Sequence, residues 1–110
     1  MTIEERLESL ERRLDALDKG KVEDLRAGQF TLVDASGKPR ASLRIRKGEP
    51  GLVLIDDAGL PRAVLHITKG GAGLVLLDEN GKPRVGLDVT KDGPRVEMGD
   101  EKTQVIWSAP

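Results

Sequence analysis

The chain has 110 residues, of which 34% are charged, yet its net charge at pH 7 is only −1. This balance does not favour a surface field that holds nucleic acid or an anionic membrane. The absence of cysteine excludes disulfides and thiolate metal sites. No apolar run approaches the ~20 residues of a membrane span, and the charged N-terminus lacks a signal-peptide pattern. The cytoplasm is therefore the default expectation, with assembly in a virion or at a cell surface as the alternative.

Residues 1–20 predict a coiled-coil oligomerisation helix. Apolar residues recur at the alternating spacings of four and three that mark the a and d positions of a heptad, at Ile3, Leu7, Leu10, Leu14 and Leu17. Thr2 and Glu5 form a candidate capping box, and Gly20 predicts the end of the helix. Because the other heptad positions are charged and a lone helix of this length is marginal in water, the seam predicts self-association.

The segment Arg6-Leu7-Glu8-Ser9-Leu10-Glu11 resembles the Arg-apolar-x-x-apolar-Glu signature of parallel trimeric coiled coils. The segment that begins at Arg13 nearly repeats it. In this signature the arginine at g pairs with the acid at e of the next chain, while its aliphatic stem covers the seam. We therefore expect a homotrimer in which Arg6, Glu11 and Arg13 assist the apolar seam, with a dimer and a tetramer as alternatives.

After a connector over residues 21–29, residues 30–110 carry a repeat. The motif Asp-x-x-Gly-x-Pro-Arg occurs three times at intervals of 22 residues, beginning at Asp34, Asp56 and Asp78. It predicts a hairpin turn, in which Asp accepts hydrogen bonds from downstream amides and Gly takes a left-handed conformation. The units are 30–51, 52–73, 74–95 and a degenerate cap, 96–110, which keeps Asp100 but has Thr103 in place of Gly. Trp107 in this cap is expected to close the apolar stack.

The segment after each turn alternates between apolar and polar residues, as in Ala41, Leu43 and Ile45, which is typical of a half-buried strand. The segment before the turn is apolar on both faces in the second and third units, and this pattern predicts cover on both sides. We expect the second apolar face to pack against other copies of the chain through Val53, Ile55, Val75 and Leu77. The predicted fold is mostly β with one N-terminal helix, namely a coiled coil followed by eight short strands in 22-residue hairpin repeats. A trimeric β-prism is the preferred arrangement and a β-solenoid the alternative.

A coiled coil followed by hairpin repeats resembles the trimeric shafts of fibre proteins. This resemblance implies a helix that sets the register and strands from three chains that build a prism or spiral. Over residues 30–90 the turn motif is also similar, more distantly, to the Tyr-Asp-x-x-Gly-Arg hairpins of Rhs/YD-repeat proteins. Neither resemblance implies catalytic residues.

Residues suited to chemistry are few. The only histidine, His66, is expected to be an ordinary surface residue. The spacing of the turn aspartates does not fit an EF-hand loop, so they are expected to cap turns. Arg40, Arg62 and Arg84 are expected to form a column along one edge. That column is a candidate binding site for carboxylate or phosphate groups, and the alternative is that each arginine pairs with a nearby acid.

The sequence therefore favours a protein that is not an enzyme and needs no cofactor or metal. Our first hypothesis is a structural homotrimer that forms a self-assembling stalk or scaffold and whose main partner is itself. The second is a binding module whose arginine column recognises an anionic polymer or a protein partner. Neither hypothesis involves a membrane, and nucleic acid is not an expected partner.

Overall fold

The structure, a computed structural model, describes residues 2–18 and 23–110, and the side chains of the helix as far as residue 15. The expected helix end at Gly20, the first two connector residues and the side chain of Leu17 lie outside the described part. The described residues form helix α1 and eight strands. Their bounds are α1 Ile3–Asp18, β1 Gln29–Val33, β2 Pro39–Arg46, β3 Glu49–Ile55, β4 Pro61–Thr68, β5 Gly71–Leu77, β6 Pro83–Thr90, β7 Gly93–Gly99 and β8 Val105–Ala109.

Helix α1 begins at the capping box expected from the sequence. The amide of Glu5 donates to Thr2 Oγ1 at 3.1 Å, and the amide of Thr2 donates to Glu5 Oε2 at 3.3 Å. Two of the orphan donors at the helix start are thus satisfied reciprocally. Between the described residues, α1 contacts no strand. Its seam residues stay more than half exposed, with values of 76% for Ile3, 52% for Leu7, 51% for Leu10 and 61% for Leu14.

The eight strands form one antiparallel sheet in which each strand pairs with its neighbours in sequence. The sheet is open, with β1 and β8 as its edges, and consecutive strands are joined by tight hairpins. The prediction of a mostly β fold with one N-terminal helix and hairpin repeats is confirmed.

The Asp-x-x-Gly turns have one repeated geometry, illustrated by the second unit. Asp56 Oδ1 accepts hydrogen bonds from the amides of Ala58 at 2.9 Å and Leu60 at 3.0 Å. Gly59 adopts a φ of 87°, which is left-handed backbone that glycine occupies without steric cost. Each turn is followed by a β-bulge, since Leu54 pairs with Ala63 and Ile55 with Pro61, which leaves Arg62 as the extra residue.

The cap departs from the motif in sequence but keeps its geometry. Asp100 Oδ1 accepts hydrogen bonds from the amides of Lys102 and Gln104, both at 2.9 Å. Thr103 occupies the glycine position with a φ of 64°. The aspartate therefore suffices to fold this turn, and a β-branched residue is held in left-handed backbone there.

The sheet is a single layer. No apolar residue in the described part of the chain is buried, and Ser42, with a relative exposure of 8%, is the buried polar residue. The cover on both faces of β3 and β5 that the sequence predicts is therefore not provided by the described residues of one chain. The physical reason is that every connection between strands is a short hairpin between adjacent strands, so none of the described segments returns over the sheet.

Candidate functional site

One side of the sheet, which we call the apolar face, carries an apolar side chain at every paired position. The cross-strand register places these residues in three rows that run perpendicular to the strands. The first row is Leu32, Ala41, Leu54, Ala63, Leu76, Val85, Met98 and Trp107. The central row is Phe30, Leu43, Leu52, Leu65, Leu74, Leu87, Val96 and Ala109. The third is Ile45, Pro50, Ile67, Ala72, Val89 and Pro94.

This apolar face is open to solvent in the single chain. In the central row Leu43 is 51% exposed and Leu65 48%, and Trp107 at the end of the first row is 50% exposed. Its three rows form a continuous apolar patch across the sheet, far larger than the scattered apolar residues of an ordinary soluble surface. Patches of this kind mark interaction surfaces.

The opposite side, which we call the polar face, mixes apolar and charged residues. Its middle row runs through Ser42, Val53, Val64, Val75, Gly86 and Glu97. The next row runs through Arg44, Gly51, His66, Gly73, Asp88 and Arg95. The four strand residues expected to contact other copies, Val53, Ile55, Val75 and Leu77, lie on this face and are half-buried.

The three motif arginines make the same pair of contacts. Each Nε donates to the carbonyl of the last residue of the strand that follows the arginine's own strand: Arg40 to Ile55 at 3.0 Å, Arg62 to Leu77 at 2.9 Å and Arg84 to Gly99 at 2.7 Å. Each Nη1 also lies near the aspartate of its own turn, at 3.5 Å from Asp34, 3.4 Å from Asp56 and 3.5 Å from Asp78.

These contacts tie one hairpin to the next, because the accepting carbonyl belongs to the unit that follows in sequence. Arg40 reaches further, since its Nη1 also lies 2.7 Å from Asp57. In the cap the equivalent bulge residue is Ile106, on the edge strand β8 of the described sheet. The candidate anion-binding role of the arginines stays a prediction.

The turn aspartates are held in their charged form. The pKa of Asp56 lies below its ordinary value, chiefly because the Leu60 amide donates to the carboxylate, and Ala58 and Arg62 add to the effect. The pKa of Asp78 is lowered in the same way, chiefly by the Lys82 amide. For Asp34 the largest cause is the Ser36 hydroxyl. These carboxylates have the acceptor role of turn caps.

The row of the polar face that runs from Arg44 to Arg95 contains two further contacts. The ring of His66 lies over Gly73, so that a Cβ on that glycine would be 3.2 Å from His66 Nε2. Arg95 Nη2 donates to Asp88 Oδ2 at 3.0 Å, and this hydrogen bond, with the charges of Asp88 and Glu97, raises the pKa of Arg95. His66 has no acid–base neighbour of the kind a catalytic site uses among its cross-strand partners, Gly51 and Gly73.

Among residues 2–18 and 23–110, no group of three or more histidines or acids is placed to hold a metal ion. In the same part of the chain no helix is long and apolar enough to cross a bilayer. The sequence matches no protein-family model, and no curated protein is similar to it at a significant level.

Proposed function

We propose that this protein is a non-enzymatic structural homo-oligomer, a trimer that assembles itself into a short stalk or scaffold. The observation that carries the proposal is the single-layered sheet, in which no described apolar residue is buried. A sheet stays folded in water when its apolar side is covered by another layer. In this chain that layer is not supplied by α1, which contacts no strand within the described residues.

The accessible surface supports the same conclusion. The chain exposes 8913 Å². A compact monomer of 11.9 kDa exposes about 5,900 Å² by the usual scaling of surface with mass. In a trimer, an excess of about 3,000 Å² per chain shared among three pairwise interfaces is about 3,000 Å² for each interface, within the roughly 2,000–5,000 Å² that an obligate interface buries in total.

We favour three copies because of the helix. The Arg6-to-Glu11 segment has the signature of parallel trimers, and its apolar seam has no cover within the described part of the chain. Parallel helices would start the three sheets side by side, at a high effective concentration. We favour a prism over a solenoid because consecutive strands pair antiparallel as hairpins, whereas one-coil repeats stack parallel strands.

A structural role follows from the dimensions of such an assembly. Helix α1 has 16 residues and is about 24 Å long at ~1.5 Å per residue. Eight strands at ~4.8 Å apart give a sheet about 34 Å long across the strands. These dimensions suit a spacer that presents its polar face. We do not propose anion recognition, because the motif arginines already bind carbonyls and carboxylates.

The experiment is the molar mass in solution of the full chain and of two helix variants. Leu10→Asp places a charge at a d position of the seam, and Ser9→Asp places the same charge one residue away at c. Light scattering after size exclusion should give about 36 kDa for the wild type, three times 11.9 kDa, and the same for Ser9→Asp. Leu10→Asp should shift the mass towards the single chain at micromolar concentration, because a charge in the seam loses its hydration. A well-folded monomer of the wild-type chain would refute the proposal.

A further inference from the structure

We propose that the apolar face is the surface through which copies of this chain pack on one another, and that the polar face points outward. This inference rests on the proposed self-association and names the surface responsible for it. It differs from the prediction made from the sequence, which assigned the strand contacts to Val53, Ile55, Val75 and Leu77 on the polar face.

The first argument compares the free-energy cost of burying the apolar face with that of burying the polar face. On the apolar face, the first and central rows cross from β1 to β8 and the third row from β2 to β7, all without a polar side chain. On the polar face, burial would enclose Arg44, Asp88, Arg95 and Glu97. The Arg95–Asp88 pair is partnered, but Arg44 forms no ion pair with a described residue. A buried charge without a partner is strongly unfavourable, so the polar face is the poorer interface.

The second argument concerns the occupant. The chain needs this cover for its own sheet to be stable, so the occupant has to be present whenever the chain folds. A second copy meets that condition, since the helix seam brings identical chains together. Around a threefold axis, an apolar face that points inward packs against the same face of the other two copies, so one patch serves every subunit of the closed ring. The excess surface of about 3,000 Å² derived above matches such an obligate interface.

The third argument is the direction of the rows. Leucine occupies the central row on five successive strands, at Leu43, Leu52, Leu65, Leu74 and Leu87. The row runs perpendicular to the strands. If a symmetry axis lies parallel to this row, each leucine meets its own copies in a layer, as a and d residues do in a coiled coil. The sheet and the helix would then bury the same kind of side chain in the same kind of layer.

The test uses cysteine as a reporter, because the natural chain has none. Leu65→Cys and Val64→Cys place a thiol at adjacent positions of β4 that face opposite sides of the sheet. In the single chain Leu65 is 48% exposed and Val64 is half-buried, so a lone chain would label at least as fast at position 65. Packing through the apolar face reverses this order.

The measurement is the rate of maleimide labelling of each native variant, divided by its rate in denaturant, with the molar mass of each variant measured in parallel. We expect the Leu65→Cys thiol to react at least about tenfold more slowly than the Val64→Cys thiol, since it is protected until the assembly opens. Ala72→Cys, which is also exposed on the apolar face in the single chain, replaces Leu65→Cys in the comparison with Val64→Cys in case the Leu65→Cys sheet does not fold, because alanine to cysteine changes the volume little.

If the molar mass is that of a trimer, the proposed function stands, and three labelling results would still overturn the inference. Faster labelling of the apolar-face thiol would show packing through the polar face. Rapid labelling of both thiols would show that the sheets do not pack on each other. Protection of both would show that the polar face is covered too. A monomeric mass would overturn the proposed function together with this inference.

Discussion

Thr103 provides the sharpest test of the repeat geometry. It has a φ of 64°, at the position where Gly37, Gly59 and Gly81 have values of 86°, 87° and 82°. For a residue with a side chain this conformation costs roughly 1–2 kcal/mol. Thr103→Gly removes that cost but adds roughly 0.5–1 kcal/mol of backbone entropy in the unfolded chain. The variant should therefore be more stable by about 0.5–1 kcal/mol per chain.

The assay is thermal unfolding followed by circular dichroism at one fixed protein concentration, because the melting temperature of an oligomer depends on concentration. For a domain of this size the gain corresponds to a rise in melting temperature of about 2–4 °C. Thr103→Ala should give little of this rise, since alanine keeps a Cβ in left-handed backbone; both variants lose the exposed hydrogen bond from Thr103 Oγ1 to the Lys102 carbonyl, which water replaces.

The reciprocal control is Gly59→Ala. A Cβ at Gly59 would meet no atom within 4 Å, so this substitution isolates the backbone term and should lower the melting temperature. A fall in melting temperature for Thr103→Gly, or no change for Gly59→Ala, would contradict the claim that the cap strains its backbone to keep the turn.

Three further predictions concern the sheet and its turns. Gly71→Ala should disrupt the β5–β6 pairing, because its Cβ would overlap the Val89 carbonyl, whereas Gly86→Ala has open space and should be tolerated; unfolding in denaturant distinguishes them. The folded pKa of Asp56 lies below 3.8, so its stabilising effect is present above that pH and is lost as the pH falls through the lower folded value. The difference in melting temperature between the wild type and Asp56→Asn should therefore shrink between pH 6 and pH 2, and a constant difference would contradict the assignment. Arg84→Ala should lower the free energy of unfolding by about 1 kcal/mol, and Arg84→Lys should not restore it, because one ammonium does not reproduce the contacts to both Gly99 and Asp78.

The turns and the helix start, which form through contacts between residues close in sequence, could be predicted from the sequence. The turn at Asp56 follows from an aspartate that caps its own amides and a glycine in left-handed backbone, and the helix start follows from Thr2 and Glu5. In each case the interacting groups lie within a few residues of one another in sequence. The alternation of Ala41, Leu43 and Ile45 also predicts that these three residues share one face of the sheet, since a strand has a period of two.

The non-local features could not be predicted in this way. Arg84 binds the carbonyl of Gly99, 15 residues away, and only the register of β6 against β7 brings them together. The apolar segment containing Val53 and Ile55 predicts cover on both faces, but it does not say which chain supplies it. The left-handed backbone at Thr103 could not be predicted from the residue type either, because glycine is the usual signal for that conformation and threonine is a poor one.

The central claim is that identical chains supply the layer that the sheet lacks. The most direct measurement is sedimentation equilibrium of the full chain from high nanomolar to high micromolar concentration, with circular dichroism recorded on the same samples. The account predicts a trimer of about 36 kDa, from 11.9 kDa per chain, and a loss of strand signal wherever dilution yields the single chain. A single chain that keeps its full strand signal and unfolds cooperatively would contradict it.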